Sequence, residues 1–311
     1  MINNPKISVV TITYGHENYI VQTLEGILMQ NYPGEIEVLI ANDNSPDDTD
    51  NIIKKYLAGR ELPENFIIKY TKHDQNKGMM PNFIWALQQA TGKYIALCEG
   101  DDYWIDEDKL SKQMLFFEKN KSCAFVFTGS KTLTNNGVWG LYYRHKTFKN
   151  GIIGKKTFLL NMGGDFCTAS IVFDKKVIDP FPQYINNCIV GDFPLGLLAI
   201  SEGEIGYIED LTTVYRLNSI GSWSSKQRED QLLSKFNNIY KNMDEFNSFT
   251  NYKFSDLISY YKNEYDYKLI YRRILQNKTS DAVIIILKNL SIDFKKNYKM
   301  VKTLMWKFLK S

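Results

Sequence analysis

"YIALCEGDDYW" (94–104) is the stretch that decides the fold. Its first half is apolar and strand-like. Its second half places Glu99, Asp101 and Asp102 within four residues. Carboxylates that close raise one another's pKa unless a cation offsets them. The neighbouring sequence gives the cluster its context. "KISVVTITY" (6–14), "EVLIAND" (37–43) and "NFIIKYTKH" (65–73) read as strands before it, and "KYIALCEG" (93–100) as the fourth. "CAFVFTG" (123–129) follows as a fifth. Helical patterns lie between them. Residues 18–30 put Ile20, Leu24, Ile27 and Leu28 on one face. The next begins at 45, with Ser45 as its expected cap and Asp47 and Asp48 in its first turn. A third covers 80–90 with Pro81 at its start, and a fourth covers 107–120.

Such alternation predicts an α/β fold, a mostly parallel sheet flanked on both faces by helices. Ligands bind such sheets at the carboxyl ends of the strands, near a topological switch point. The acidic cluster falls at that end of the fourth strand.

The chain has 311 residues, 44% of them hydrophobic, enough for a large core and a second lobe. A net charge of only +3 makes nucleic acid an unexpected partner. Cys98, Cys123, Cys167 and Cys188 form no C-x-x-C pair, which fits reduced, intracellular usage. "MINNPKISVV" has no signal-peptide character, and no apolar run has the length of a spanning helix. The expectation is a cytoplasmic protein, at most peripheral on the inner face of a membrane. Residues 1–130 form the regular half of the expected domain. Residues 131–225 complete it with short β-like runs around a helix near 192–201. A helical C-terminal extension covers 226–311. Its end, "FKKNYKMVKTLMWKFLK" (294–310), carries six lysines and no acid. It reads equally as a membrane-surface helix or as an amphipathic helix packed on the protein.

Three strand ends carry candidate chemistry. At the fourth, Glu99 and Asp101 suit a Mg²⁺ or Mn²⁺ ion bound with a diphosphate, since such ions use few protein carboxylates. The competing possibility is a solvated acidic loop. At the second, Asp43 in "IANDNSPDDT" (40–49) can accept hydrogen bonds from a nucleobase or ribose. Asn42, Asn44 and Ser45 equally favour an Asx-type turn there. At the first, Thr13 and Tyr14 precede Gly15, and Tyr14 can stack on a base. His16 reads as a surface-loop histidine.

"TITYG", "ANDNSPDDT" and "CEGDD", in this order, resemble the T-Y, D-D-G-S-type and D-x-D motifs of glycosyltransferase family 2 on the GT-A (Rossmann-like) fold. Residues 76–110 and 191–224 are similar to the family throughout, and the resemblance covers about 1–225. It implies an inverting transferase that moves a sugar from a nucleotide donor, UDP-sugar favoured, to a glycan or lipid-linked glycan acceptor in bacterial surface polysaccharide synthesis. The nucleotide-binding half is then 1–130 and the acceptor half 131–225. Thr13, Tyr14, Asp43, Lys77, Glu99 and Asp101 match donor-contacting positions, with Asp101 the metal ligand for Mn²⁺ or Mg²⁺. Asp192 in "VGDFPL" matches the catalytic base; the same residue reads as a helix cap. Asp102, Thr168 and Arg216 are implied at the acceptor, and Thr168 reads equally as a strand entry in the core. Two positions depart from the pattern: Glu99 replaces the first aspartate of D-x-D, and Asn218 stands where a histidine is expected. Two rival functions are a sugar nucleotidyltransferase, which would want a glycine-rich, arginine-containing phosphate loop that "TITYGHENY" lacks, and an inactive homologue serving as scaffold.

Overall fold

The computed structural model describes residues 4–142, 151–161, 166–219 and 232–275. The basic segment 294–310 lies outside them, as do 220–224 of the second matching block. Strands β1 (Ile7–Thr13), β2 (Ile36–Asn42), β3 (Phe66–Lys72) and β4 (Tyr94–Leu97) alternate with helices α1 (Ile20–Leu28), α2 (Thr49–Ala58) and α3 (Met79–Gln89). They pair in parallel in the order β3-β2-β1-β4. The chain therefore leaves β1 first toward one sheet edge and later toward the other. The crevice where that direction changes lies between the carboxyl ends of β1 and β4.

β5 (Tyr103–Trp104), α4 (Lys109–Lys119), β6 (Cys123–Thr134), β7 (Trp139–Leu141), β8 (Gly151–Ile153) and α5 (Lys155–Asn161) follow. A 3-10 turn (Thr168–Ser170) leads into β9 (Val172–Asp174), then α6 (Asp192–Glu202) and β10 (Glu204–Leu217). Here the sheet is mixed rather than parallel. β9 inserts antiparallel between β4 and β6, while β6 and β10 run parallel beside it. Antiparallel β5, β7 and β8 add at the margins. These strands are two or three residues long, too short to show a periodicity in sequence.

Burial explains the element choices. All seven residues of β2 and all four of β4 are buried, as expected for strands covered on both faces. α1 buries Ile20, Leu24 and Ile27. Phe125 and Phe127 of β6 pack with Phe158 and Phe166, ring centroids 5.3 to 6.4 Å apart. Where β6 and β10 must bury hydroxyls they pair them, Thr128 with Thr212 and Ser130 with Thr213, each at 2.6 Å. Ser45 does not cap α2. Asn42 Oδ1 accepts both its amide (2.9 Å) and its hydroxyl (2.7 Å), the Asx-type arrangement, so the helix starts at Thr49 after Asp48.

The chain divides into two compact units, Met1–Phe246 and Asn247–Ser311. α7 (Leu232–Phe249) buries Ile239, Met243 and Phe246. In the second unit α8 (Ser255–Leu275) buries Ile258 and Tyr261, and Asn247 Nδ2 donates to Ser255 Oγ at 3.2 Å. Among the described residues no helix is long and apolar enough to cross a membrane.

At the amino-terminal edge one carboxylate ties the parallel strands together. Glu37 of β2, its side chain fully buried, accepts from Ser8 of β1 (2.6 Å), Lys69 of β3 (2.6 Å) and the Thr91 amide before β4 (3.0 Å). Burial alone would raise its pKa. The hydrogen bonds from Lys69, Ser8 and Thr91 overcome this and hold it down at about 2. A depressed carboxyl pKa stabilises the fold above its ordinary value of 4.5 and loses that contribution as pH falls toward 2. Glu37→Gln is therefore expected to cost on the order of 2–3 kcal/mol at pH 7. The deficit should shrink between pH 4.5 and 2 in denaturant titrations. A deficit that did not change with pH would contradict this account.

Candidate functional site

The carboxyl edge gathers residues from four strands. β4 ends at Leu97, but the chain keeps pairing with β1: Cys98 donates to Val10 O (3.1 Å) and Gly100 to Ile12 O (2.9 Å). Glu99 to Asp102 thus turn directly beside the end of β1. Gly100 makes this approach possible. A Cβ there would lie 2.6 Å from Thr13 Oγ1 and 2.8 Å from His16 Nδ1. Thr13 and His16 also meet each other at 3.1 Å. His16 is not the surface histidine expected: it is buried against this loop. Burial lowers its pKa, while Asp101 and Asp47 pull the other way.

The acidic turn is held from three sides. Thr23 of α1 sets its hydroxyl 2.6 Å from Asp102 O and 3.0 Å from Gly100 O. Arg216 of β10 donates its amide to Asp102 Oδ1 (2.9 Å) and its guanidinium to Asp101 O and Gln22 Oε1. That guanidinium lies between the rings of Tyr19 (4.9 Å) and Tyr103 (4.5 Å). Ser219 then donates to Asp101 Oδ2 at 2.6 Å. Its approach depends on Asn218, whose φ of 60° turns the strand end back; asparagine tolerates this conformation better than most residues. The position where a histidine was expected therefore shapes the chain.

The three carboxylates differ in access. Asp102 is 1% exposed, its second oxygen facing Cys167 Sγ at 3.8 Å. Burial, with Asp101 and Glu99 nearby, pushes its pKa well up. Asp102 and Arg216 are thus buried, and they brace the turn. Asp101 and Glu99 are half-buried. The Glu99 carboxyl is pushed up to about 8 by burial and by the charges of Asp101 and Asp192, against a hydrogen bond from Thr168. Glu99 therefore lies among Asp101, Thr168 and Asp192, the last being the first residue of α6. Asp192 accepts its neighbour's amide, from Phe193, at 2.8 Å, but it is not the helix cap the sequence suggested: Gly191 holds the cap position and Asp192 is the first helical residue.

On the other flank, Tyr14 is 37% exposed beyond β1. Asp43 is buried after β2, and its carboxylate accepts the amides of Lys77 (2.7 Å) and Gly78 (2.9 Å). Gly78 has φ 92°, a backbone conformation that glycine permits, and this aims its amide at Asp43. Asp43 therefore fixes the loop that presents the exposed Lys77. His16, Ser219, Tyr19 and Gln22 were not picked out from sequence. Only the N-S pair at 218–219 carried a local signal, a turn residue beside a hydroxyl.

Among the described residues no three His, Cys, Asp or Glu side chains converge as a preformed metal site. What the edge offers is hard oxygen donors on closely spaced acids, Glu99, Asp101 and Asp192, with Asp102 withdrawn. That set fits a Mg²⁺ or Mn²⁺ ion taking Asp101 from the protein and the rest of its shell from phosphate and water.

Residues 8–179 match the family described as Glycosyl transferase family 2. An uncharacterised protein of Mycobacterium tuberculosis is 31% identical over 222 residues, which is 70% of this chain and 61% of that one. The chain thus spans about three fifths of the length of these mycobacterial relatives. The UDP-Glc:alpha-D-GlcNAc-diphosphoundecaprenol beta-1,3-glucosyltransferase WfaP of Escherichia coli is 36% identical over 115 residues, 37% of this chain and 42% of that one. Two solved structures share the fold. One is S. aureus TarS 1-349 with UDP-GlcNAc (TM-score 0.59, 19% identity, 80% of this chain and 73% of that one). The other is the mannosyltransferase PcManGT of Pyrobaculum calidifontis with GDP-Man and Mn²⁺ (TM-score 0.60, 12% identity, 97% and 79%).

Gly100→Ala tests how tightly the acidic turn is seated. The added methyl meets Thr13 and His16 below contact distance, so a loss of about 1–3 kcal/mol is expected in thermal or denaturant unfolding. Unchanged stability would mean that the turn has room to move away from β1.

Proposed function

Because the chain belongs to glycosyltransferase family 2, we propose that it transfers a sugar, with inversion, from a nucleoside-diphosphate donor to a hydroxyl of a glycan or lipid-linked glycan. The convergence of Tyr14, Lys77, Asp101, Glu99 and Asp192 at one sheet edge carries this proposal. UDP is the favoured nucleotide and bacterial surface polysaccharide the favoured product class. The UDP-GlcNAc complex of TarS and the lipid-diphosphate acceptor in the name of WfaP support both choices.

In this mechanism the exposed Tyr14 ring stacks on the base. The Asp43-braced loop brings Lys77 to the nucleotide as a positive charge. Asp101, steadied by Ser219 and by Arg216 at its carbonyl, faces the diphosphate. A Mg²⁺ or Mn²⁺ ion bound there would supply Lewis-acid stabilisation of the leaving diphosphate. The Asp192 carboxylate accepts the proton of the acceptor hydroxyl as its oxygen attacks the anomeric carbon. The bond from that carbon to the phosphate oxygen breaks, and the nucleoside diphosphate leaves with the electron pair. Glu99 lies with Asp101 on the donor side, and Thr168, beside Glu99, lines the acceptor side. Asp102 and Arg216 act through the turn they hold.

The test joins binding and turnover. UDP is titrated calorimetrically with and without Mn²⁺ into the wild type, Asp101→Asn and Asp192→Asn. Sugar transfer or UDP release is then followed across UDP-sugars. Asp101→Asn is expected to lose the Mn²⁺-dependent part of UDP binding. Asp192→Asn should keep UDP binding and lose about 10²–10⁴ in rate. An active Asp192→Asn enzyme would rule out this base. A protein that binds no nucleoside diphosphate and turns over no donor would favour the scaffold alternative.

A further inference from the structure

Helix α6 starts with the proposed base, and behind that start lies a ring of α3. Gly191, the residue before Asp192, has φ −90° and ψ −36°, right-handed backbone that any residue adopts. Glycine is therefore not needed there for its conformational freedom. It is needed for space. A Cβ at position 191 would lie 2.5 Å from Cε1 and 2.8 Å from Cδ1 of Phe83. Carbon atoms pack at about 3.5–4.0 Å, so the Phe83 ring already occupies the room a side chain would take. Phe83 is buried, and so is Phe193, which follows Asp192. Asp192 thus sits between two enclosed neighbours, a glycine pressed on one ring and a phenylalanine seated in the core. The amide of Leu195 closes the first turn of α6 on Gly191 O at 3.3 Å.

The Phe83 ring is as well placed as the helix that carries it. α3 packs on β1 and β2, and its first turn is tied to the end of β2. Gly78, at its cap, donates its amide to Asp43 (2.9 Å). Asn82, the residue before Phe83, donates its side-chain amide to Ala41 O (3.0 Å). Asn82 Oδ1 lies 2.9 Å from His73 Nε2, and His73 donates its own amide to Asn42 O (2.9 Å). Both side chains are buried, where a satisfied polar network fixes a single arrangement. The His73 ring also meets Trp85 of α3 edge-on at 4.6 Å. α3 therefore runs from the loop that presents Lys77 to the helix start that presents Asp192. Phe83 stands roughly 7–8 Å along the helix axis from Gly78.

We infer that Phe83 and Gly191 are positioning residues for the transfer reaction. The ring sets the depth at which α6 begins, and with it the place of the Asp192 carboxylate. Because the same helix is fastened to Asp43 at its other end, α3 spaces the base from the nucleotide. A base acts only within hydrogen-bond reach of the hydroxyl it deprotonates, and a displacement of about 1 Å can cost about 10²-fold in rate. The role in the reaction rests on Asp192 as the base, the reading given above; the packing does not.

The test compares the wild type with Gly191→Ala, Phe83→Leu, the double variant Gly191→Ala/Phe83→Leu and Asp192→Asn. UDP affinity is measured by calorimetry with Mn²⁺, and turnover as UDP release from UDP-Glc and UDP-GlcNAc. Crystal structures of the wild type and Gly191→Ala locate residue 192 without reference to any substrate. Gly191→Ala is expected to shift the start of α6 by about 1 Å and to lose about 10²-fold in rate at unchanged UDP affinity. In the double variant the smaller side chain makes room for the methyl, and roughly tenfold of that loss should return. Phe83→Leu alone should lose roughly tenfold in rate, again with UDP affinity unchanged, and it decides the matter if Gly191→Ala does not fold. A merely structural contact would lower the melting temperature and leave the rate intact. That result in Gly191→Ala, with Asp192→Asn inactive, would overturn the inference. So would an unmoved α6 in the crystal, a double variant no faster than Gly191→Ala, or weakened UDP binding in either single variant. An active Asp192→Asn would instead count against the functional proposal.

Discussion

The site depends on keeping three carboxylates together at a strand tip against their mutual repulsion. Arg216 carries most of that task. Its amide donates to the buried Asp102, and its guanidinium donates to the carbonyl of Asp101 and to the side-chain oxygen of Gln22. Two tyrosine rings flank the guanidinium and exclude water from it. A planar fork with several fixed donors suits this position; an ammonium would make fewer directed bonds and stack poorly. With the turn so braced, Asp101 and Glu99 stay half-buried while Asp102 is fully enclosed. The division of labour among three adjacent acids follows from burial and partners more than from residue type.

Much of this was legible in the sequence. The four parallel strands were recoverable because each carries an apolar run bounded by a helix pattern, and the strand-end rule located the acidic cluster. The second half was less readable. β5, β7, β8 and β9 are two or three residues long, and β9 enters the sheet antiparallel between strands distant in sequence. The site was legible in position and less so in orientation. Nothing local distinguishes a half-buried aspartate from a fully buried one, and only the family resemblance told Asp101 from Asp102. His16 sits in a polar loop and reads as exposed, yet Gly100 and Thr13 close over it. Asp43 looked like a residue poised for a ligand, and its carboxylate also organises the loop opposite.

Stability and chemistry occupy opposite ends of the same sheet. At the amino-terminal edge Glu37 is matched by hydrogen bonds from Ser8, Lys69 and Thr91, so its charge is fully compensated. At the carboxyl edge the acids are crowded and buried instead. Glu99 is held in a neighbourhood that favours its protonated form, which only a bound cation or a rearranged partner would relieve. The same residue type is an ionised fastening at one edge and an acid that tends to hold its proton at the other. The buried sheet between them keeps the two apart.

Arg216 also has a bearing on how the molecule comes together. Its bond to Asp102 spans 114 residues, and the Ser219 bond to Asp101 spans 118. The four parallel strands close through short local crossovers, whereas the acidic turn waits for the last strand of the sheet. During synthesis the first half emerges with its apolar strands able to pair and its carboxylates still unbraced. Competence is therefore acquired late, when β10 docks beside β6 and completes both the sheet and the turn. A chain released before β10 would lack the Arg216 and Ser219 bonds that complete the acidic turn.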